Sequence, residues 1–201
     1  MIIKCYNENH PYLMFIDLEF NHRDLVQFAG LLFQRIDYET YQLKRSCNQY
    51  ITTKVCYPFM EYTNITNSFL NENGISLKDL QAIIFEDFLV GVELKDIEII
   101  SHGLKNDRLV LKENGLDLSH YVKNGVFYPI DGYCTFNNAK RILKRENKLT
   151  ALDVASECGY YLHAAHNAFN DVWAEVAIFT YLKKIELQQE EEAKDEIREL
   201  K

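Results

Sequence analysis

The stretch Tyr12-Leu13-Met14-Phe15-Ile16-Asp17-Leu18-Glu19-Phe20 decides how the rest of the chain is interpreted. Its apolar run is typical of a central strand that is covered on both faces of a sheet. Side chains alternate along a strand, so Asp17 and Glu19 are predicted on one face and Leu18 on the other. Two acids on one face of a buried strand repel each other unless they share a proton or hold a cation. Alternatively, Glu19 lies past the strand end and is simply solvated.

Two further stretches supply matching polar residues, Ser101-His102-Gly103-Leu104-Lys105-Asn106-Asp107 and Ala164-Ala165-His166-Asn167-Ala168-Phe169-Asn170-Asp171. An Asp-x-Glu on the first long strand, an Asp in the middle and a His-x-Ala-x-x-Asp near the end resemble the DEDDh exonucleases. These are DnaQ-like 3′-to-5′ exonucleases of the ribonuclease H-like superfamily. The resemblance covers roughly residues 12–182, and the middle motif is closest to that of the Eri-like RNA-trimming subgroup.

The resemblance implies an α/β fold with a ribonuclease H-like mixed five-stranded sheet flanked by helices. It also implies two divalent metal ions, Mg²⁺ or Mn²⁺. Asp17 would lie between the two ions, Glu19 and Asp171 would complete one metal site, and Asp107 would support the other. His166 would be the general base. The residues that resemble the family's contacts to the 3′-terminal nucleotide are Leu18, Phe20 and Asn21.

The residue types suit this chemistry. Carboxylate oxygens are hard ligands that Mg²⁺ and Mn²⁺ prefer, and a histidine with a pKa of about 6.5 accepts a proton near neutral pH. On one continuous helix His166 and Asp171 would point about 140° apart, so His166 is predicted in a lead-in before the helix. The alternatives are a surface or capping His166, and an Asp107 placed in a first helical turn for dipole reasons alone.

Single-stranded nucleic acid is the expected partner, hydrolysed from its 3′ end to 5′-monophosphate nucleotides. We expect RNA to be slightly preferred over DNA, because the amide of Asn21 could meet a 2′-hydroxyl, the group by which proteins distinguish the two polymers. Phe20 either stacks on the terminal base, as aromatic residues do on single strands, or lies in the core. The alternative functions are a DNA proofreading subunit beside a polymerase and a non-catalytic nucleic-acid-binding scaffold with the same fold.

Length and charge predict one exonuclease domain, residues 1–185, and a charged helical tail, residues 186–201. The net charge of −8 argues against a general polyanion-binding protein. The tail has seven acidic and three basic residues, a net −4 that is half of the charge of the chain. Its thin apolar stripe of Ala193, Ile197 and Leu200 is a candidate for pairing, as a homodimer or with a partner protein. A solvated helix extension is the alternative.

We predict a cytoplasmic protein. No apolar run is long enough to span a membrane, and the first residues do not form a signal peptide. The five cysteines include no Cys-x-x-Cys pair and are interpreted as reduced thiols. A zinc site using Cys134, Cys158 and His163 is the alternative, although no ligand pair has metal-site spacing. His102 and His163 are interpreted as structural or loop residues.

Periodicity and capping signals predict the remaining elements. Strands are predicted over Leu25–Ile36, Thr40–Ile51, Ile97–Ser101 and Val126–Ile130, and helices over Ile65–Leu70, Leu77–Leu89, residues 105–114, Asn137–Glu146, Thr150–Gly159 and from Ala168 into the tail.

Overall fold

The structure, a computed structural model, describes residues 1–5, 10–145, 149–161 and 166–199, the last with side chains to residue 195. Eight strands and seven α-helices lie in these residues. In chain order they are β1 (Ile2–Lys4), β2 (Tyr12–Asn21), β3 (Asp24–Arg35), β4 (Thr40–Tyr50), α1 (Tyr57–Thr63), α2 (Asn67–Asn73), α3 (Leu77–Ala82), β5 (Ile97–Ser101), α4 (Leu104–Glu113), β6 (His120–Lys123), β7 (Val126–Pro129), β8 (Asp131–Cys134), α5 (Thr135–Ile142), α6 (Ala151–Glu157) and α7 (Ala168–Glu199).

The main sheet has the strand order β1-β4-β3-β2-β5-β8. Strands β2, β3 and β4 form the predicted antiparallel meander, and β2, β5 and β8 run parallel. Helices flank this mixed sheet, so the predicted α/β class is confirmed. Four of the predicted strands lie in this sheet, β8 takes the fifth place, and the short β1 adds a sixth strand beside β4.

Strand β2 lies at the centre and is buried on both faces. Phe15 packs into the cluster under α5, α6 and α7, whereas Met14 and Ile16 pack into the cluster on the other face, with α4. All three side chains are fully buried. Alternation along the strand therefore directs Asp17 and Glu19 toward the face that α7 covers.

Four predicted elements differ from the structure, and one of them is a strand placed in the wrong sheet. Val126–Ile130 is not a strand of the main sheet, because β7 pairs only with β6 in a separate hairpin. The sixth position in the sheet order belongs instead to β8, where a Cβ on Gly132 would come within 2.7 Å of both Leu104 and the Arg108 guanidinium. A glycine at this position lets the ends of the Leu104 and Arg108 side chains lie directly over the strand.

The other differences are smaller. The predicted helix Leu77–Leu89 is α3 followed by a wider π-helical segment, Ile83–Phe88. Two helices, α1 and α2, replace the single helical piece predicted around Ile65–Leu70. Helix α5 begins at Thr135 and ends at Ile142, and Glu146 lies outside the described residues.

Two further predictions about helices are confirmed. The capping box that opens α6 is present in both directions between Thr150 and Asp153. Helix α7 continues without a break across the predicted boundary at residue 186. None of the described helices is both long and apolar enough to cross a membrane.

Candidate active site

Two carboxylates of the site come from the end of β2. Asp17 lies opposite Ala29 of β3, and Glu19 lies opposite Gln27. A bulge follows Glu19, because the next residue pairs with Leu25 rather than with a residue one step away. Glu19 is only 9% exposed, so it is not the solvated residue of the alternative interpretation. Both acids face the start of α7.

The third carboxylate comes from the first turn of α7. One oxygen atom each from Asp17, Glu19 and Asp171 lies within 4.8 Å of the others. Among the described residues this is the one cluster of three side chains with metal-ligand spacing. The alternative zinc site included His163, which lies outside the described residues. The structure thus brings together three of the predicted acids from the two ends of the chain, and their role as metal ligands stays a prediction.

Asp107 lies beside this cluster, in the first turn of α4. It is 7% exposed and accepts a hydrogen bond from the hydroxyl of Ser101, the last residue of β5. Burial raises its pKa, and the hydrogen bond from Ser101 opposes that shift. An interaction with the helix dipole does not require the carboxylate to be buried. Asp107 points inward, where its charge raises the pKa of Asp17.

The electrostatics of the cluster favour a bound cation. Burial raises the pKa of Asp17 well above its usual range, and the charges of Asp107, Asp171, Glu175 and Glu19 raise it further. The pKa of Glu19 rises to about 7 through burial and the charge of Asp171. Carboxylates whose charges repel one another in a buried site are stabilised by protons or by a cation. An all-oxygen donor set of this kind fits Mg²⁺ or Mn²⁺.

His166 lies before α7, as the spacing to Asp171 requires. Its backbone has φ 67°, and its N–H donates to Oδ2 of Asp171 over 3.0 Å. Asn167 fixes the start of the helix, because its Oδ1 accepts the N–H of Phe169 at 3.1 Å. The backbone of the lead-in therefore places the histidine next to the carboxylate cluster without using the helix periodicity.

Tyr62 of α1 covers the imidazole of His166. The two ring centroids are 3.6 Å apart and the planes are tilted by 36°. Burial raises the pKa of Tyr62, and the charges of Glu19 and Asp171 add to the shift, so the phenol lies within reach of the cluster. The tyrosine is nevertheless 58% exposed. It forms part of the outer wall of the site.

Sequence reasoning missed two residues at this site. Glu175 lies on α7 one turn after Asp171 and is 1% exposed. Its spacing of four from Asp171 places both on one helix face, and that spacing was the available signal. Tyr62 comes from a segment with irregular composition, and nothing in its neighbourhood predicts contact with a residue more than a hundred positions away.

The three residues predicted to contact substrate lie in different surroundings. Leu18 points away from the carboxylates into the cluster with Met14 and Ile16, and Phe20 packs against that cluster while remaining partly exposed. Asn21 is 8% exposed, its amide N–H donates to Lys54 O at 3.3 Å, and its Oδ1 accepts from the Cys56 thiol. The amide that was predicted to meet a 2′-hydroxyl is therefore engaged inside the protein.

No protein-family model and no curated protein sequence matches the chain. Several solved structures match the structure of this chain. Cell-death related nuclease 4 gives a TM-score of 0.63 over 88% of this chain and 65% of its own, at 13% identity. A 3′-exonuclease that recognises the 3′ end of a histone mRNA stem-loop gives 0.65 over 89% and 84%, at 12% identity. E. coli exonuclease I in complex with a dA16 oligonucleotide gives 0.67 over 89% and 42%, at 16% identity.

This chain has the fold of these exonucleases. The ribonuclease H-like fold that the motifs predict is thereby confirmed. The chain spans 65% of cell-death related nuclease 4 and less than half of exonuclease I.

Proposed function

We propose that this protein is a metal-dependent 3′-to-5′ exonuclease that hydrolyses single-stranded RNA or DNA to 5′-monophosphate nucleotides. The observation that carries the proposal is the convergence of Asp17, Glu19 and Asp171, whose oxygens lie within 4.8 Å of one another on one face of the sheet. Asp107 is buried at the same place, and the backbone of His166 is hydrogen-bonded to Asp171. Nucleases that cleave a phosphodiester through two metal ions need such a set.

Asp17 would contact both ions, Glu19 and Asp171 would complete one site, and Asp107 would support the other. The ions held by these residues would stabilise the charge that develops on the attacking and the leaving oxygens of an in-line displacement at phosphorus. His166 would accept a proton from the attacking water. The new bond joins the water oxygen to phosphorus, the bond from phosphorus to the 3′ oxygen of the preceding nucleotide breaks, and that oxygen takes a proton from solvent water. The shortened strand then keeps a 3′-hydroxyl group.

The direct test uses a 5′-labelled single-stranded oligonucleotide with Mg²⁺ or Mn²⁺. The expected product is a ladder shortened one nucleotide at a time from the 3′ end, with 5′-monophosphate nucleotides released. Chelation by EDTA should stop the reaction, and renewed Mn²⁺ should restore it. The proposal fails if neither metal supports shortening, or if the first cuts are internal.

The choice between RNA and DNA stays a prediction. Structures with the same fold include one described with a histone mRNA stem-loop and one, exonuclease X, in complex with 5′ overhanging duplex DNA. The engaged amide of Asn21 removes one reason to expect RNA, because its polar atoms already have partners in the protein. Matched RNA and DNA strands of one sequence, compared by kcat/KM, decide the preference.

The prediction of a cytoplasmic protein that pairs through its tail remains part of this proposal. The side chains of Ile197 and Leu200, on which the apolar stripe depends, lie outside the described residues. Sedimentation of the full chain and of a chain truncated after residue 189 would show whether the tail mediates pairing. If both chains are monomeric, pairing of two copies through the tail is excluded. The proposed exonuclease reaction does not depend on this result.

A further inference from the structure

Glu175 is a fifth carboxylate beside the proposed metal site, and it lies deeper than the others. It is 1% exposed, and in its ionised form it would raise the pKa of Asp17. The backbone N–H of His102 donates to its carboxyl group. The hydroxyl of Thr135, at 0% exposed, lies 2.8 Å from Oε2 of Glu175. Glu175 therefore contacts the end of β5 and the start of α5 from its own place on α7.

The contacts continue beyond Thr135. Nδ1 of His102 lies 3.0 Å from the same Thr135 hydroxyl oxygen, and Nε2 lies 3.3 Å from the carbonyl oxygen of Leu149. One chain of hydrogen bonds thus runs from Glu175 through Thr135 and His102 to the backbone before α6. Each link joins a different element.

The carbonyl oxygen of Leu149 sets the direction in which these hydrogen bonds run. A carbonyl oxygen only accepts, so Nε2 of His102 must carry a proton to bond Leu149. In a neutral imidazole Nδ1 is then an acceptor, and the hydroxyl of Thr135 must donate to it. That hydroxyl has one proton, so Thr135 can only accept from Glu175. The carboxyl of Glu175 is then the donor, which requires the neutral acid.

With the bond from Nε2 to Leu149 kept, the alternative direction needs two buried charges. Without that bond, a His102 protonated on Nδ1 alone leaves the bare Nε2 facing the carbonyl oxygen of Leu149, two acceptors 3.3 Å apart. If Thr135 donates to an ionised Glu175, then Nδ1 of His102 must donate to Thr135 while Nε2 donates to Leu149. His102 would be a buried imidazolium. Burial lowers the pKa of His102, and burial raises the pKa of Glu175 to about 8 despite its hydrogen bond from Thr135. Both shifts favour the uncharged arrangement.

We propose that Glu175 is a positioning residue that acts as a neutral hydrogen-bond donor to Thr135, rather than as a further metal-holding carboxylate. The proposal rests on the exonuclease function proposed above. Through this chain Glu175 connects α7, which carries Asp171, with the end of β5, which leads through Ser101 to Asp107. Its neutral form adds no charge to a site where four carboxylates already repel one another.

Glutamine is the decisive replacement, because its amide keeps the shape and the donor but carries no negative charge. Glu175→Gln should retain kcat within about threefold, whereas Glu175→Leu, of similar size but without a donor, should lower kcat by about tenfold or more. Thr135→Ser and Thr135→Val form a second matched pair, since serine keeps the hydroxyl and valine removes it. Thermal unfolding identifies any variant that fails to fold.

Two measurements need no nuclease activity. Nitrogen NMR of His102, assigned by the missing signal in His102→Gln, should show a protonated Nε2 and an unprotonated Nδ1. The result should be the same in native protein and in Glu175→Gln. Calorimetric titration with Mn²⁺ should give nearly the same affinity for native protein and Glu175→Gln, and a much lower one for Glu19→Gln.

Two results would overturn the proposed role of Glu175, and a different result would overturn the proposed function. A proton on Nδ1 of His102, on Nδ1 alone or on both nitrogens, overturns the proposal. So does a loss of Mn²⁺ affinity in Glu175→Gln as large as in Glu19→Gln, because Glu175 would then hold the metal. If native protein shows no exonuclease activity, the proposed function fails, while the His102 spectrum still decides the hydrogen-bond chain.

Discussion

The active site has two sides that are built differently. Asp17 and Glu19 belong to β2, which pairs with β3 along its whole length and lies between two apolar clusters. His166 and Asp171 lie at the start of α7, where Asn167 caps the helix and Gln27 accepts the N–H of Ala168 at 3.2 Å. A strand ladder fixes the first side, and a few side-chain hydrogen bonds fix the second. The two sides therefore differ in how much a single substitution can disturb them.

If the strand side holds the metal ions, Asp17→Ala should have the largest effect. Losing the carboxylate that contacts both ions should lower kcat by roughly 10⁴-fold or more, and Mn²⁺ affinity should fall with it. Primer shortening and calorimetry measure the two losses. Asp24→Ala removes an exposed carboxylate from the same hairpin and serves as the control. Substantial activity in Asp17→Ala would contradict the assignment.

On the helix side, His166→Ala should separate chemistry from metal binding. Loss of a general base costs about 10²- to 10⁴-fold in kcat, whereas Mn²⁺ affinity should stay within about threefold, because the histidine is not a ligand. His22→Ala, an exposed histidine at the end of β2, is the matched control. If calorimetry shows that His166→Ala also loses the metal, the division between base and ligands is wrong.

Tyr62 should have a smaller effect, because it acts on the position of His166. Removal of the ring in Tyr62→Ala should lower kcat by about tenfold, since small displacements of a reacting group are costly. Tyr62→Phe should restore the rate, because the ring makes the contact. Tyr57→Ala, a 70% exposed tyrosine of the same helix, is the control. A rise in KM at constant kcat would instead assign the ring to substrate binding.

The smallest effect is on the stability of the metal-free protein. The pKa of Glu19 is about 7 in the folded state, above its usual value of 4.5. Between these values the folded state binds more protons than the unfolded state, so stability is complete at low pH and falls as the pH rises toward 7. The expected change is a Tm lowered by roughly 5 °C between pH 5 and pH 8.

Calorimetry with and without Mn²⁺ checks this, and the metal should restore most of the loss at pH 8. Glu19→Gln, which cannot ionise, should give a flatter profile than native protein. A native Tm that rises over the same pH range in the absence of metal would contradict the sign of the shift.

The sequence allowed more of the site to be predicted than of the sheet. Alternation along β2 places Asp17 and Glu19 together, and five-residue spacing requires His166 to precede α7; both arguments use only local geometry. Strand β8 could not be found in this way, because Gly132 packs under the side chain of Arg108 from a different element and no local pattern shows that contact. Glu175 shares a helix face with Asp171, but its hydrogen bond with Thr135, forty positions away, is not visible in the local sequence.

Asn21 is a residue whose position in the sequence was misleading. Its place directly after the catalytic strand suggested a role toward substrate, and sequence position could not show that Lys54 and Cys56 use its amide. Hydrogen bonds between distant segments decide whether a polar side chain faces solvent or serves the fold, and no local pattern encodes them.

Helix α7 also has a mechanical consequence. Its 32 residues form one rod, about 48 Å long, with Asp171 in the first turn and residues 190–195 in solvent. Bonds from Tyr133 and Arg141 to Glu186, and from Gln189 to Ile142, hold the rod where it leaves the core and act as its fulcrum. Between this fulcrum and Asp171 the rod packs against β2, β3, α5 and α6, so the core takes up a load on the outer arm. Immobilising the protein by this end should therefore leave the candidate site undisturbed, as attachment through the exposed β7 strand should.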